Sequence, residues 1–219
     1  SQSSESDLKK YLDEDFIFVP YCRPGFTLTM EIKKLILPST NILILENHGL
    51  IVAGDDIEDT YKLLLKIHKK LDLIRNEKLA FDYLEKITNI DGYIHKNTDK
   101  YKLFSTQNEK LFSLFPKSFY PDHVIFLGPG IPTFLEEKEA NEFIQNLKRK
   151  NIDLPPYLIL KYKGLFENTL AIPAAKEMID CFLEVLLRID LSKSLKFLSS
   201  LQESELLNWD IEIYRQSIN

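Results

Sequence analysis

The stretch Asn41–Gly54, NILILENHGLIVAG, decides the reading of this chain. Ile42-Leu43-Ile44-Leu45 and Leu50-Ile51-Val52-Ala53 are short continuous apolar runs, the pattern of strands buried on both faces. Asn47-His48-Gly49 lies between them. Asn and Gly tolerate positive φ at low cost, so the three residues form a tight turn and the whole stretch a β-hairpin.

Upstream of the hairpin, Phe16-Ile17-Phe18-Val19 is a further apolar run that stops at Pro20. It reads as a buried strand. Arg23-Pro24-Gly25 is a turn. Leu28, Ile32, Leu35 and Ile36 then fall at helical spacing until Pro38 ends the helix. Downstream, Asp55 or Asp56 caps a helix whose apolar face is Ile57, Tyr61, Leu64, Ile67, Leu71 and Ile74. A helix is expected over Leu79 to Ile87, and a loop from Asn89 to Lys100.

The same order returns after Pro121. Val124-Ile125-Phe126-Leu127 reads as a strand and Gly128-Pro129-Gly130-Ile131-Pro132 as a turn. Glu136 to Lys150 is an amphipathic helix, Tyr157-Leu158-Ile159-Leu160 a strand, Lys163-Gly164 a turn and Ala174 to Ile189 a helix. Ile42–Ile74 aligns without a gap on Tyr157–Ile189, with Gly49-Leu50 on Gly164-Leu165. An internal duplication is therefore expected. The fold class is α/β: two related strand-helix-hairpin-helix halves, with mixed sheets covered by helices. A capping box at Ser200-Leu201-Gln202-Glu203 then opens a C-terminal helix carrying Leu207, Ile211 and Tyr214, docked by its aromatics, with Trp209 nearby. The domain boundaries follow as residues 1–75, a connecting region 76–120, and 121–219.

Composition narrows the classes of function. With 219 residues the chain can bury a sizeable core. A net charge of −5 argues against nucleic acid as a partner. No apolar run approaches the ~20 residues of a membrane helix, so no membrane partner is expected. The two cysteines, Cys22 and Cys181, lie far apart and form no disulfide framework, which favours a reducing, cytoplasmic setting. Cys22 reads as a small half-buried loop residue, and Cys181, among Ile179, Phe182 and Val185, as core.

His48 is the informative residue. A hairpin tip on a rigid sheet holds an imidazole in one direction, as a metal ligand requires. Ile42 to Gly54, with Pro20-Tyr21 and Pro24-Gly25 ahead of it, resembles the metal-histidine hairpin of the class II aldolase/adducin family. Trp209-Asp210 to Tyr214-Arg215 resembles the ending of long rhamnulose-phosphate aldolases in that family. The resemblance implies that His48 ligates a divalent metal, zinc, and that Asn47 and Gly49 shape the supporting turn. Glu46 would stand behind the ligand. The implied chemistry is metal-dependent carbon–carbon cleavage of a sugar phosphate or related ketose. The family's other two zinc histidines form a His-x-His pair upstream, with a catalytic acid earlier still, and none of these has a counterpart in this chain. The chain is thus expected to be a fragment, one piece of a split protein, or a relative that has lost the site. The partners expected are a second copy, or a segment that completes the domain, and a small-molecule substrate. The alternative is a non-catalytic, adducin-like assembly domain.

The remaining histidines have structural readings. His68 packs at the edge of its helix, His95 lies in a polar loop, and His123 begins a strand. Asp122 and His123 are discounted as an acid–base pair because adjacent strand residues face opposite ways. Lys163 replaces His48 in the second half, and a protonated lysine cannot ligate zinc. The second site is therefore expected to be structural, or to take anions if it binds anything, with the structural reading favoured. Gly128-Pro129-Gly130 lacks the third glycine of a phosphate loop.

Overall fold

The computed structural model describes residues 5–71 and 89–217. The helix expected over Leu79 to Ile87, together with Ile74, lies outside the described residues. A short helix α1 (Glu5–Leu8) precedes strand β1 (Ile17–Val19) and helix α2 (Phe26–Leu35). The hairpin β2 (Ile42–Leu45) and β3 (Gly49–Val52) leads into α3 (Ile57–Leu71). The first sheet runs β1-β2-β3, with β1 parallel to β2 and β2 antiparallel to β3. Asp56 Oδ1 accepts from the Asp59 N–H at 2.8 Å, which makes Asp56 the cap of α3.

This small sheet is covered thinly. On one face Leu12, Ile42 and Ile67 pack together, and on the other Val19, Leu43 and Leu45 meet Leu28 and Ile32. The apolar stripe expected to seat α3 faces mostly outward: Ile57 is 88% exposed and Tyr61 59%, while Ile67 is fully buried. A three-stranded sheet offers a seat about one helix wide, so only the Leu63/Ile67 side of α3 fits against it. His68 is exposed on the same helix rather than packed at its edge.

Strand β4 (Tyr93–His95), a 3₁₀ helix (Asp99–Ser105) and α4 (Glu109–Phe112) open the larger part. Then come α5 (Pro121–Leu127), β5 (Thr133–Phe134), α6 (Glu137–Arg149), the hairpin β6 (Tyr157–Leu160) and β7 (Gly164–Asn168), and α7 (Pro173–Leu186). The second sheet runs β4-β7-β6-β5, again mixed, with β5 parallel to β6 and the other pairs antiparallel. Residues of the expected connecting region join this sheet and its core. Phe104, Leu111 and Phe115 pack with Tyr157, Ile159, Leu165, Ile179 and Phe182.

The run Val124 to Leu127 is helical, not a strand. Pro121 at the first helical position presets φ, and Gly128, at φ 89°, ends the turn that follows. A short, wholly buried apolar run carries no periodicity that separates helix from strand. The opening strand of the second half is instead Thr133–Phe134, after the glycine-rich turn. Gly130 serves packing there: a Cβ on it would lie 2.5 Å from the Pro116 carbonyl carbon and oxygen. Asn89 to Lys100 contains β4 rather than loop alone.

Both halves thus present strand, helix, hairpin, helix, each with the first strand parallel to the hairpin's first strand. The agreement is one of topology, which recurring packing rules produce without shared ancestry. The tail forms two helices, α8 (Ser200–Leu207) and α9 (Asp210–Ser217), and its capping box pairs Ser199 with Gln202, one residue earlier than read from the sequence.

Candidate functional site

The hairpin tip is Glu46-Asn47-His48, closed by the His48 N–H donating to the Leu45 carbonyl at 3.1 Å. Asn47 sits at φ 52°, a left-handed conformation that Asn accepts more readily than most residues. Its side-chain Nδ2 donates to two carbonyls of the larger part, Phe119 O and Lys196 O, each at 2.8 Å. Glu46 Oε2 accepts from the Tyr21 N–H at 3.0 Å and from Lys196 Nζ at 2.7 Å. Burial opposes ionisation of Glu46, but the Lys196 ammonium and the Tyr21 N–H outweigh it and hold the carboxyl below its usual range. Glu46 therefore ties the tip to its surroundings.

The loop after β1 is held by the same part of the chain. Tyr21 packs with Val124, Leu198 and Leu206. The Trp209 indole lies on Gly25, where a Cβ would come within 2.7 Å of it, and the Arg23 guanidinium sits 5.4 Å from the indole centroid. The carboxyl ends of the parallel strands β1 and β2 thus both carry loops clamped by residues beyond 115. Ligand sites in open α/β sheets form at such ends.

A cleft of about 600 Å³ opens there. His48 lines it from the hairpin, and Asp122, Cys181 and Arg188 line it from α5, α7 and the turn after α7. His48 is exposed by area, yet enough protein surrounds its ring that burial pushes the imidazole pKa below its ordinary value. The carboxylates of Asp122 and Glu212 pull the other way. The site therefore holds a largely neutral imidazole within the electrostatic reach of two carboxylates.

Sequence reasoning missed Asp122 because it placed the residue on a strand. On a helix, Asp122 lines the cleft while His123 points inward and is fully buried. Cys181, expected in the core, is exposed and lines the cleft. Ile179 and Phe182 take the inward side of α7 instead. Cys22 is half-buried, and burial raises its thiol pKa, so it is not an activated nucleophile.

The zinc implied by the hairpin does not fit the residues present. A catalytic zinc takes three protein ligands and one open position. Among the described residues, no group of three or more His, Cys, Asp or Glu side chains is arranged to hold a metal ion. His95 Nε2 bonds the Lys163 carbonyl at 2.7 Å, and its ring stacks on Phe166. His123 lies against Phe182, with ring centroids 4.6 Å apart. Its two nitrogens have no hydrogen-bond partner among the described residues, and burial pushes its pKa down to about 3.

Residues 3–73 match the family model of the Class II Aldolase and Adducin N-terminal domain. Over 81 residues the chain is 31% identical to the Uncharacterized oxidoreductase YuxG of Bacillus subtilis (strain 168). That stretch covers 34% of this chain and 12% of the relative's length. No solved structure matches the chain. The matched residues 3–73, which carry the strand-helix-hairpin-helix unit and His48, are similar to the class II aldolase/adducin N-terminal domain.

Proposed function

We propose that the chain is part of a class II aldolase-type lyase. In its complete form the protein would cleave a carbon–carbon bond of a sugar phosphate or related ketose, using a divalent metal, zinc by family resemblance. The observation that carries this reading is His48, held at the tip of the family's hairpin and lining a cleft of small-molecule size. The remaining metal ligands and the catalytic acid would come from outside residues 1–219, from a segment that completes the domain or from a second copy.

Surface chemistry supports a missing companion. Helix α2 buries none of its residues. Phe26, Leu37, Ile57, Tyr61 and Leu65 are exposed on the family segment. Among the described residues, strands β1 and β3 are both edges of their sheet, and unpaired edges invite association. The same apolar surface favours a second reading, a non-catalytic assembly domain of the adducin kind. Neither reading calls for nucleic acid. Among the described residues, no helix is long and apolar enough to cross a membrane.

Metal content after dialysis, with an aldol-cleavage assay beside it, tests the proposal. Residues 1–219 alone are expected to retain no stoichiometric zinc and to turn over no ketose. Supplying a segment that bears a His-x-His pair should restore zinc, and His48→Ala should abolish it again. Stoichiometric zinc and turnover from residues 1–219 alone would overturn the reading. Stable association with that segment but no zinc uptake would favour the assembly domain.

A further inference from the structure

We propose that residues 190–196 form a movable strap that sets the width of the cleft beside His48 and is latched to the hairpin tip through Lys196. The inference rests on reading this cleft as the substrate site and supplies its means of opening. The strap lies between α7 and α8 and has no helix or strand of its own. Ile189 before it and Leu198 after it are 5% and 6% exposed, yet none of residues 190–196 is buried. A local turn shapes its start: Asp190 Oδ1 accepts from the Ser192 N–H at 2.9 Å, and the Lys193 N–H donates to the Asp190 carbonyl at 3.0 Å. Segments with so little buried surface open at low cost.

The strap also has room to move. Leu195 and Lys196 line the cleft of about 600 Å³, while Leu191, Lys193 and Leu195 line a second hollow of about 230 Å³ beside Leu114. Leu195 thus borders both spaces. A side chain packed at native density has nowhere to go, whereas one that faces empty space has lost contacts there and can shift. What holds the strap is polar. The Lys196 carbonyl accepts from Asn47 Nδ2 at 2.8 Å, and Lys196 Nζ meets Glu46 Oε2 at 2.7 Å. The Lys196 side chain is 62% exposed, so this ion pair is weak and screened by salt. Beyond the latch the chain is fixed. The Phe197 ring meets Phe119 with centroids 5.1 Å apart, and the Leu198 N–H donates to the Ser118 carbonyl at 2.9 Å. Releasing Lys196 therefore frees the strap up to Phe197, and Leu195 can leave the cleft for the second hollow. Glu46 and Asn47 directly precede His48, so the contact that steadies the hairpin tip also holds this wall of the cleft in place.

Cys181 lines the same cleft and serves as the reporter, in a Cys22→Ser background that leaves it the only thiol. The full chain is labelled with iodoacetamide and, separately, with the bulkier N-(1-pyrenyl)maleimide. Amide hydrogen exchange of residues 190–196 is followed beside it by mass spectrometry. Lys196→Met removes the ammonium and keeps the carbonyl that Asn47 bonds. It is expected to raise the pyrenylmaleimide-to-iodoacetamide rate ratio, and exchange in the strap, by about threefold, as fits the loss of one exposed ion pair. High salt should raise both in the parent and neither in Lys196→Met. Lys138→Met, which breaks an exposed ion pair with Glu142 on α6, should change neither. Unchanged labelling and exchange in Lys196→Met, or faster exchange without faster pyrenylmaleimide labelling, would overturn the strap as a gate. Neither readout needs metal or ketose. The expected labelling together with a failed zinc reconstitution would therefore support the strap and count only against the lyase reading.

Discussion

Asn47→Gly isolates the clamp on the hairpin tip. Glycine adopts the φ of 52° at this position without steric cost, so the backbone turn survives and only the side-chain amide is lost. Two hydrogen bonds go with it, those to Phe119 O and Lys196 O at 2.8 Å each. At about 0.5–1.5 kcal/mol net per bond, the loss is about 1–3 kcal/mol. Glycine's greater freedom in the unfolded chain adds about 0.5–1 kcal/mol. The expected destabilisation is therefore about 1.5–4 kcal/mol, a large part of a typical domain's stability. Urea denaturation of the full chain reads it as a lower midpoint with little change in slope. Asn47→Asp sharpens the test. It also tolerates the left-handed φ, but it turns two donors into acceptors facing two carbonyl oxygens, so it should cost more than glycine. In both variants the His48 imidazole, less enclosed by protein, should titrate closer to its ordinary value. A glycine variant as stable as the parent, or an aspartate variant better than glycine, would refute the clamp.

Three further perturbations follow from buried or paired groups. Lys66 and Lys70 hydrogen-bond Glu14 and hold its pKa at about 2, so the stability Glu14 lends is complete above about pH 4.5 and is lost as pH falls through about 2; Glu14→Gln should flatten that part of an acid titration of stability followed by circular dichroism. His123 is the reverse case for a base: its pKa is depressed to about 3 by burial, the native state binds fewer protons than the unfolded one, and stability falls as pH drops from about 6.5 towards 3. His123→Leu should remove that dependence and be neutral or stabilising by ~1 kcal/mol at pH 7, because two unpartnered buried nitrogens leave the core. Gly130→Ala should cost about 3 kcal/mol, seen as a lower Tm, since the residue sits at φ 77° with the Pro116 backbone where a Cβ would go.

Much of the fold was legible because its strands and longer helices obey local rules. The hairpin 42–52 follows from apolar runs flanking Asn47 and Gly49, and α6 from its amphipathic period. What failed were features that local pattern cannot carry. Pro121 to Leu127 is buried on every side, so no periodicity marked it as a helix. The stripe of α3 looked like a core face, but its sheet is too narrow to cover it. His48 was legible through its turn and its family resemblance. Asp122, Arg188 and Lys196 were not, since their approach to His48 depends on how residues 89–217 dock against the hairpin.

The two hairpins are alike in backbone and differ in what surrounds their tips among the described residues. Each has a three-residue tip before a glycine that pairs with the last residue of the preceding strand, Leu45 with Gly49 and Leu160 with Gly164. Each places its second tip residue at positive φ, Asn47 at 52° and Tyr162 at 63°. The backbones are alike, so the difference lies in what covers them. At the second tip, the chain's own residues close the space. His95 bonds the Lys163 carbonyl, and Ser105 and His95 lie within 4 Å of where a Gly164 side chain would begin. At the first tip, the covering part of the chain takes hold of Asn47 and Glu46 but leaves His48 facing an open cleft. A rigid turn gripped by its neighbours, with its imidazole left uncommitted, is the arrangement expected when the grip serves to aim the side chain. That is why the functional assignment rests on His48 in the first half and passes over Lys163 in the second.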